Sequence, residues 1–356
     1  MKYNFEIQKT ATPKPKPDQN DLGFGKYFSD HMFIMEYTDG KGWHDGKIVP
    51  YGPIALDPAA AVLHYAVEMF EGMKAYKTND GRVLMFRPEM NAKRANITNE
   101  RLCIPHIDED LFLTAIKTLV DFEKDWIPQG GGKSLYIRPF IIADEVFVGL
   151  RPAKHFLFIV FLCPVASYYP GGLKPTKLLV EEDFIRAAPG GTGFAKVGGN
   201  YAATLRPQQK AMDMGCDQVL FLDGIEKKYI EEVGASNAFF VIDGEVLTAP
   251  AGGTILDGVT RNSVLQLLKK WGYKATERRV SIDEVYEAFK AGKLNEAFAT
   301  GTAAVISPIG ELVWGDKNIV INDKQTGEIS QKLYDELYGI QTGEREDHMG
   351  WTVEVK

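Results

Sequence analysis

The chain has 356 residues, 45% apolar and 25% charged; these are the proportions of folded globular proteins and exclude disordered, collagen-like and coiled-coil classes. At roughly 150 residues per domain, that length holds about two domains with sizeable cores. A net charge of -7 argues against a nucleic-acid partner, whose phosphates need a basic face, and favours a small molecule.

Met1 to Asp21 lacks the apolar core of a signal peptide and carries Pro13-Lys14-Pro15-Lys16-Pro17, which predicts an extended arm. Asp-Gly pairs at 39–40, 80–81, 223–224 and 243–244 each predict a hairpin, because these residues reach the positive φ of tight turns. Residues 238–242 should pair with 245–248, and 219–222 with 227–231, so antiparallel sheets are expected and a doubly wound parallel sheet is disfavoured. Helical periodicity runs over 59–70, 109–125, 200–214, 261–271, 282–291 and 330–338. Helices and hairpins alternate irregularly, which predicts an α+β fold.

Residues 156–163 are apolar on both alternating faces and predict a strand buried from two sides. The apolar stretch from 156 to 166 is about half the roughly 20 residues that a bilayer-spanning helix needs, so no membrane span is expected. Pro164, Pro170, Gly171, Gly172 and Pro175 break regular structure and predict a linker over 164–175, between a small N-terminal α+β domain with its arm (1–163) and a larger C-terminal domain (176–356). Clefts between domains are favoured ligand sites. Three cysteines, Cys103, Cys163 and Cys216, without CxxC spacing or a nearby His pair, predict a reduced cytoplasmic chain with buried thiols and no metal site.

Three clusters could carry chemistry. Gly190 to Tyr201 packs five glycines around Lys196, so backbone must approach something closely there; the loop is neither a Walker motif nor a Rossmann GxGxxG after a strand. Leu256-Asp257-Gly258-Val259-Thr260-Arg261 leads into a helix whose free N–H groups suit a phosphate, or simply a cap from Thr260 or Asp257. Ala299-Thr300-Gly301-Thr302-Ala303-Ala304 places small residues and hydroxyls at a turn.

Together with Phe70-Glu71-Gly72-Met73-Lys74-Ala75, Tyr136-Ile137-Arg138-Pro139 and Glu232-Val233-Gly234, these clusters fall in an order and spacing that covers about residues 20 to 320. In them the chain resembles the branched-chain amino acid aminotransferases, of the fold-type IV group of pyridoxal phosphate enzymes. The resemblance implies a two-domain architecture like that of D-amino acid aminotransferase, with antiparallel-rich sheets and helices, and with the cofactor lysine on the C-terminal domain. It implies that Lys196 forms the Schiff base with pyridoxal 5′-phosphate and shuttles the proton at Cα, which needs a primary amine able to lose its proton. Tyr201 would hydrogen-bond the cofactor's phenolic oxygen and Glu232 would pair with the pyridine nitrogen; the choice of Glu232 over adjacent Glu231 rests on the resemblance. Arg94 would bind the phosphate with the Val259 and Thr260 amides and the Thr302 hydroxyl, with Arg87 and Arg101 as nearby surface alternatives.

The resemblance further implies a substrate pocket of Phe24, Tyr65, Phe70, Tyr136, Arg138 and Tyr168, with the turn at Ala303 donating N–H groups to the α-carboxylate. Arg138 and the tyrosine hydroxyls are the expected partners of a γ-carboxylate. Val148 and Leu150 match a loop that in relatives reaches the neighbouring subunit's pocket, which implies a homodimer. Ala235 stands where many relatives carry threonine, and Ala304 and Ser307 occupy the positions of a CxxC pair of animal members, so that redox switch should be absent. The expected reaction moves an amino group from leucine, isoleucine or valine to 2-oxoglutarate through the pyridoxamine form, in a reversible ping-pong cycle that could complete branched-chain biosynthesis. D-amino acid aminotransferase or aminodeoxychorismate lyase activity on the same fold is the alternative, and a non-catalytic cofactor-binding scaffold is the rival from another class.

Overall fold

Apolar alternation along the chain resolves into two mixed sheets in a computed structural model that describes residues 3–168 and 171–356. Met1 and Lys2 of the arm, and Tyr169 and Pro170 of the expected linker, lie outside the described residues. The chain does not divide at a single cut. One unit comprises Met1–Pro170, Ala195–Gly198 and Gly339–Lys356, and the other Gly171–Phe194 and Gly199–Tyr338. The C-terminal residues return to the first unit because the strand Thr352–Glu354 finds a ladder partner in Val83–Phe86.

In the first unit the strands run, in spatial order, Glu6–Ile7, Gly42–Pro50, His31–Thr38, His155–Val165, Ser134–Ile142, Met73–Lys77, Val83–Phe86 and Thr352–Glu354, with Glu68–Phe70 also paired to Ser134–Ile142. All pairings are antiparallel except that of Glu6–Ile7. His155–Val165 is buried on both faces, as its apolar run predicts. Helix Glu109–Phe122 begins where the Asp108 carboxylate accepts the Leu111 N–H and places Leu111, Phe112, Ala115, Ile116, Leu119 and Val120 in the core, where Phe112 stacks on Phe158. The arm is pinned. Lys14 Nζ donates to the Phe28 and Ser29 carbonyls, and Lys16 Nζ lies 4.0 Å from the centre of the Trp126 ring.

In the second unit, Ile230–Val233 pairs with Gln218–Leu222, which pairs with Thr176–Glu181, then Val305–Trp314, Leu294–Gly301, Ser236–Ile242 and again Ile230–Val233. Six strands therefore close a ring, which gives each of them a ladder partner on both sides. Period-two alternation sorts the side chains. Leu178, Val180, Leu220, Leu222, Ala238, Phe240, Ala297 and Ala299 share one core, and Leu179, Val219 and Phe221 pack with Ala211 and Cys216 in another.

Several elements differ from sequence expectation. The helix expected over 59–70 is only Ala61–Tyr65; Ala66 is left-handed at φ 48, and Glu68–Phe70 becomes a strand. The segment 200–214 splits into Gly198–Ala202 and Leu205–Asp213, because Pro207 has no N–H and is tolerated only in a helix's first turn. Helix Pro88–Arg101 escapes an apolar scan, since its buried face is largely Asn91, Arg94, Thr98 and Asn99. Cys163 and Cys216 are buried, but Cys103 is exposed, just past the end of that helix.

The turn at 223–224 is not a tight hairpin: the left-handed residue is Lys227, and Asp223 organises the loop by accepting the N–H groups of Ile225, Glu226, Lys228 and Tyr229. Burial alone would push the Asp223 carboxyl up, but those N–H groups outweigh it and hold the carboxyl below the usual range. A lowered folded-state pKa adds stability above the unfolded value, and that stability is lost as pH falls through the folded one. Asp223→Ala is therefore expected to cost about 2–3 kcal/mol at pH 7 and to flatten the acid limb of a stability–pH curve measured by urea unfolding. An unchanged acid limb would contradict the role.

Candidate active site

Lys196 sits in a glycine-flanked segment whose backbone is tied down on both sides. Its N–H donates to Thr98 Oγ1 at 3.0 Å, and its carbonyl accepts the Phe70 N–H at 3.1 Å. The loop bearing it is closed at its ends by Thr192 and Asn200: Thr192 Oγ1 donates to Asn200 Oδ1 (2.7 Å) and Asn200 Nδ2 to the Thr192 carbonyl (2.8 Å). Two glycines have steric reasons. A Cβ on Gly193 would lie 2.4 Å from the Thr254 carbonyl oxygen, and one on Gly198 would lie 1.7 Å from Glu68 Oε1. Because the first obstacle is backbone, Gly193→Ala is expected to destabilise by roughly 1–3 kcal/mol, read as a lowered thermal midpoint; an unchanged midpoint would refute the close approach.

The Lys196 ammonium lies 4.6 Å from the centre of the Phe70 ring, and the Arg138 guanidinium 4.8 Å from the same ring. Arg138 Nη2 donates to Tyr136 Oη at 3.0 Å, and Phe24 meets the Tyr136 ring edge-on at 5.0 Å. Phe24, Phe70, Tyr136, Arg138 and Lys196 thus form one chain of contacts, apolar along its walls and cationic at two points. Arg138 Nε is buried with no hydrogen-bond partner among the described residues, an orphaned donor suited to an incoming anion.

Beside Lys196, the fully buried Glu71 receives Arg94 in a fork, Nε to Oε1 at 2.7 Å and Nη2 to Oε2 at 2.8 Å, with Asn91 Nδ2 also donating. Burial would raise the Glu71 carboxyl, but the Arg94 charge and hydrogen bond, with Lys196 and Asn91 behind, hold it below the ordinary range. Two bonds from one carboxylate therefore fix the plane of the Arg94 guanidinium. Arg87 is not a surface alternative: it is buried, its guanidinium over the Trp351 ring. Arg101 is exposed.

The second unit holds its own constellation. Strand Ile230–Val233 is buried throughout, so Glu232 is not a solvated strand carboxylate. Its Oε2 lies 2.6 Å from Arg186 Nη2, and its Oε1 accepts from Asn237 Nδ2 at 2.8 Å. Glu231 is also buried, but it is bonded by the Thr254 hydroxyl, and burial pushes its carboxyl up. Val259 and Thr260 open helix Val259–Lys270, whose Gly258 cap supplies no side-chain acceptor, so the first-turn N–H groups are not capped by that side chain. Thr300 Oγ1 is buried with no hydrogen-bond partner among the described residues, at the start of the turn holding Thr302 and Ala303. Tyr201 is half-buried, with its carbonyl accepting from Thr204.

Other expected residues are more exposed. Tyr65 ends helix Ala61–Tyr65, over a third exposed, Tyr168 is more than half exposed, and Val148 and Leu150 are 65% and 84% exposed. Thr98, Asn91, Arg186 and Asn237 were not anticipated. Asn91 and Thr98 flank Arg94 at helical spacing, a polar periodicity that could have found them.

The Amino-transferase class IV family matches residues 68–312. Branched-chain-amino-acid aminotransferase 2 of Bacillus subtilis (strain 168) is 55% identical over 99% of this chain and 98% of its own length. The chain belongs to the branched-chain-amino-acid aminotransferases of class IV. Among solved structures, the Escherichia coli branched-chain amino acid aminotransferase superposes with a TM-score of 0.76 at 25% identity, covering 92% of this chain and 99% of that one. The T.th. branched-chain amino acid aminotransferase, complexed with N-(5′-phosphopyridoxyl)-L-glutamate, gives a TM-score of 0.73 at 26% identity over 90% of this chain and 98% of its own. This aminotransferase has the α+β, fold-type IV architecture of those enzymes. No helix among its described residues is long and apolar enough to cross a membrane.

Proposed function

We propose that this aminotransferase exchanges the amino group of L-leucine, L-isoleucine or L-valine with 2-oxoglutarate, reversibly and in two half-reactions, on pyridoxal 5′-phosphate. The residues present fit that group. It asks for a primary amine, a buried carboxylate for its ring nitrogen and several donors for its phosphate; Lys196, Glu232 and the Arg94, Val259, Thr260 and Thr302 set match those needs in chemistry. When bound, the cofactor supplies an electron sink for the pair left at Cα after deprotonation.

Lys196 holds the cofactor through its amine and then carries the proton to and from substrate Cα. Its segment is fixed by backbone bonds to Phe70 and Thr98, so the amine swings on a rigid base. Glu232, paired with Arg186, would hold the proton at the ring nitrogen. Tyr201 donates to the phenolic oxygen. Arg94, oriented by Glu71, binds the phosphate together with the two amides and the Thr302 hydroxyl. The Ala303 turn donates to the substrate α-carboxylate.

The observation that carries the substrate reading is Arg138, stacked on Phe70 with a buried, unsatisfied Nε. Apolar ring and guanidinium side by side accept a branched aliphatic chain in one half-reaction and a γ-carboxylate in the other. Tyr65 and Tyr168 complete the pocket, and the exposed Val148 and Leu150 support a homodimer in which their loop meets a second copy. Release of 2-oxo acids across a panel of L- and D-amino acids tests this: the three branched L-amino acids and L-glutamate should react. Preference for D-alanine, or pyruvate release from aminodeoxychorismate, would instead assign the alternative activities. The Cys163 and Cys216 thiols, unpaired and buried, accord with a cytoplasmic setting.

A further inference from the structure

Glu68 lies against Gly198, in the segment that bears Lys196, but has no role in the scheme above. It opens the strand Glu68–Phe70, and by the period of two it shares a face with Phe70, while Met69 points into the core at 0% exposure. That face carries both cations, Arg138 and Lys196, against the Phe70 ring. The Glu68 carboxylate is held there by the Gly198 N–H, two residues beyond Lys196, and it fits only because Gly198 has no side chain.

Burial pushes the Glu68 carboxyl up, while the Arg138 charge and then the Gly198 N–H pull it down. Arg138 and Glu68 therefore sense each other without forming a contact ion pair, and the Arg138 Nε stays without a partner among the described residues. Glu71, the other carboxylate nearby, is committed to Arg94.

We infer that Glu68 is a specificity-determining residue, a built-in counter-charge to Arg138 that disfavours a side-chain carboxylate relative to an aliphatic side chain in the same pocket. An aliphatic chain beside Phe70 leaves the Arg138–Glu68 attraction undisturbed. A γ-carboxylate reaching Arg138 brings a second anion towards Glu68 in a half-buried setting, where like charges repel more than in water. Glu68 thereby balances two substrates that one pocket must both accept and release. The inference rests on the reading of Arg138 as the γ-carboxylate partner.

The test uses holoenzyme and steady-state kinetics with 2-oxoglutarate and with 4-methyl-2-oxopentanoate, leucine's own oxo acid. Glu68→Gln keeps the shape and removes the charge. The KM for 2-oxoglutarate should fall roughly five- to tenfold, with kcat and the KM for 4-methyl-2-oxopentanoate each within about twofold of the parent. Glu68→Ala carries the same expectation should the amide not be tolerated, and Glu68→Asp, which keeps the charge, should not lower the 2-oxoglutarate KM. Parallel changes in both KM values, or no change, would overturn the inference, the former showing Glu68 to be only a prop for the Gly198 backbone. Arg138→Met separates the two readings: a selective rise in the 2-oxoglutarate KM upholds Arg138 whatever Glu68→Gln does, and its absence overturns both.

Discussion

Lys196→Ala is expected to lower the leucine half-reaction by about 10^4-fold or more, because on the proposed function it removes both the amine that holds the cofactor and the base that takes the Cα proton. The loss should be chemical rather than structural. Both bonds that fix the residue, to Thr98 Oγ1 and from the Phe70 N–H, use backbone atoms of residue 196 and survive the substitution. The variant should therefore melt within about 1 kcal/mol of the parent while losing the visible absorbance of lysine-bound cofactor. Single-turnover mixing with leucine reads the rate, and a variant that still turns over would move the base to another lysine.

Glu232→Gln is the second large effect. The amide preserves the shape and the Asn237 contact but, on the proposed function, cannot hold a proton at the ring nitrogen by charge, so Cα deprotonation should slow by about 10^2- to 10^3-fold, with cofactor affinity reduced less than tenfold. Arg186, almost wholly buried against Glu232, would then face a neutral group, and a broken buried pair costs about 3–5 kcal/mol. The amide oxygen still accepts, which places the expected loss of stability at or below the lower end of that range. Glu231→Gln is the control: that carboxylate lies against Thr254, and its replacement should leave deprotonation within about threefold. Equal loss of rate and cofactor binding in Glu232→Gln, or a larger rate loss in Glu231→Gln, would contradict the assignment.

What the sequence made legible follows from which physical signals are local. Asp243-Gly244 dictates its turn through backbone preference alone, and the strands Ser236–Ile242 and Glu245–Thr248 flank it as expected. Asp223-Gly224 has the same letters, yet a side-chain carboxylate gathers four backbone N–H groups and opens a longer loop, a choice made by local hydrogen bonding that a dipeptide does not reveal. The closure of the six-strand ring depends on pairing between distant segments, Ile230–Val233 meeting both Gln218–Leu222 and Ser236–Ile242, and no periodicity encodes it. Helix Pro88–Arg101 was missed because its inward face is polar. That face is polar because it bonds the rest of the site: Arg94 reaches Glu71, and Thr98 receives the Lys196 N–H.

The site divided in a similar way. Residues whose chemistry is special in type, such as Lys196 among its glycines, stood out once order and spacing were read together. Arg186, which supports Glu232, carries no local signature, because its partner is far away in sequence. Phe70, Tyr136 and Arg138 were legible as a set, and Arg138 lies against both rings.

Lys74 sharpens the central assignment. It is buried in the first unit, and burial pushes its amine down to about 8, so it is a rival lysine able to lose its proton near neutrality. Reduction of the holoenzyme with borohydride, followed by peptide mass mapping, decides between them. The phosphopyridoxyl mass should appear on the peptide containing Lys196 at close to one per chain. The same mass on the Lys74 peptide, or on none, would contradict it.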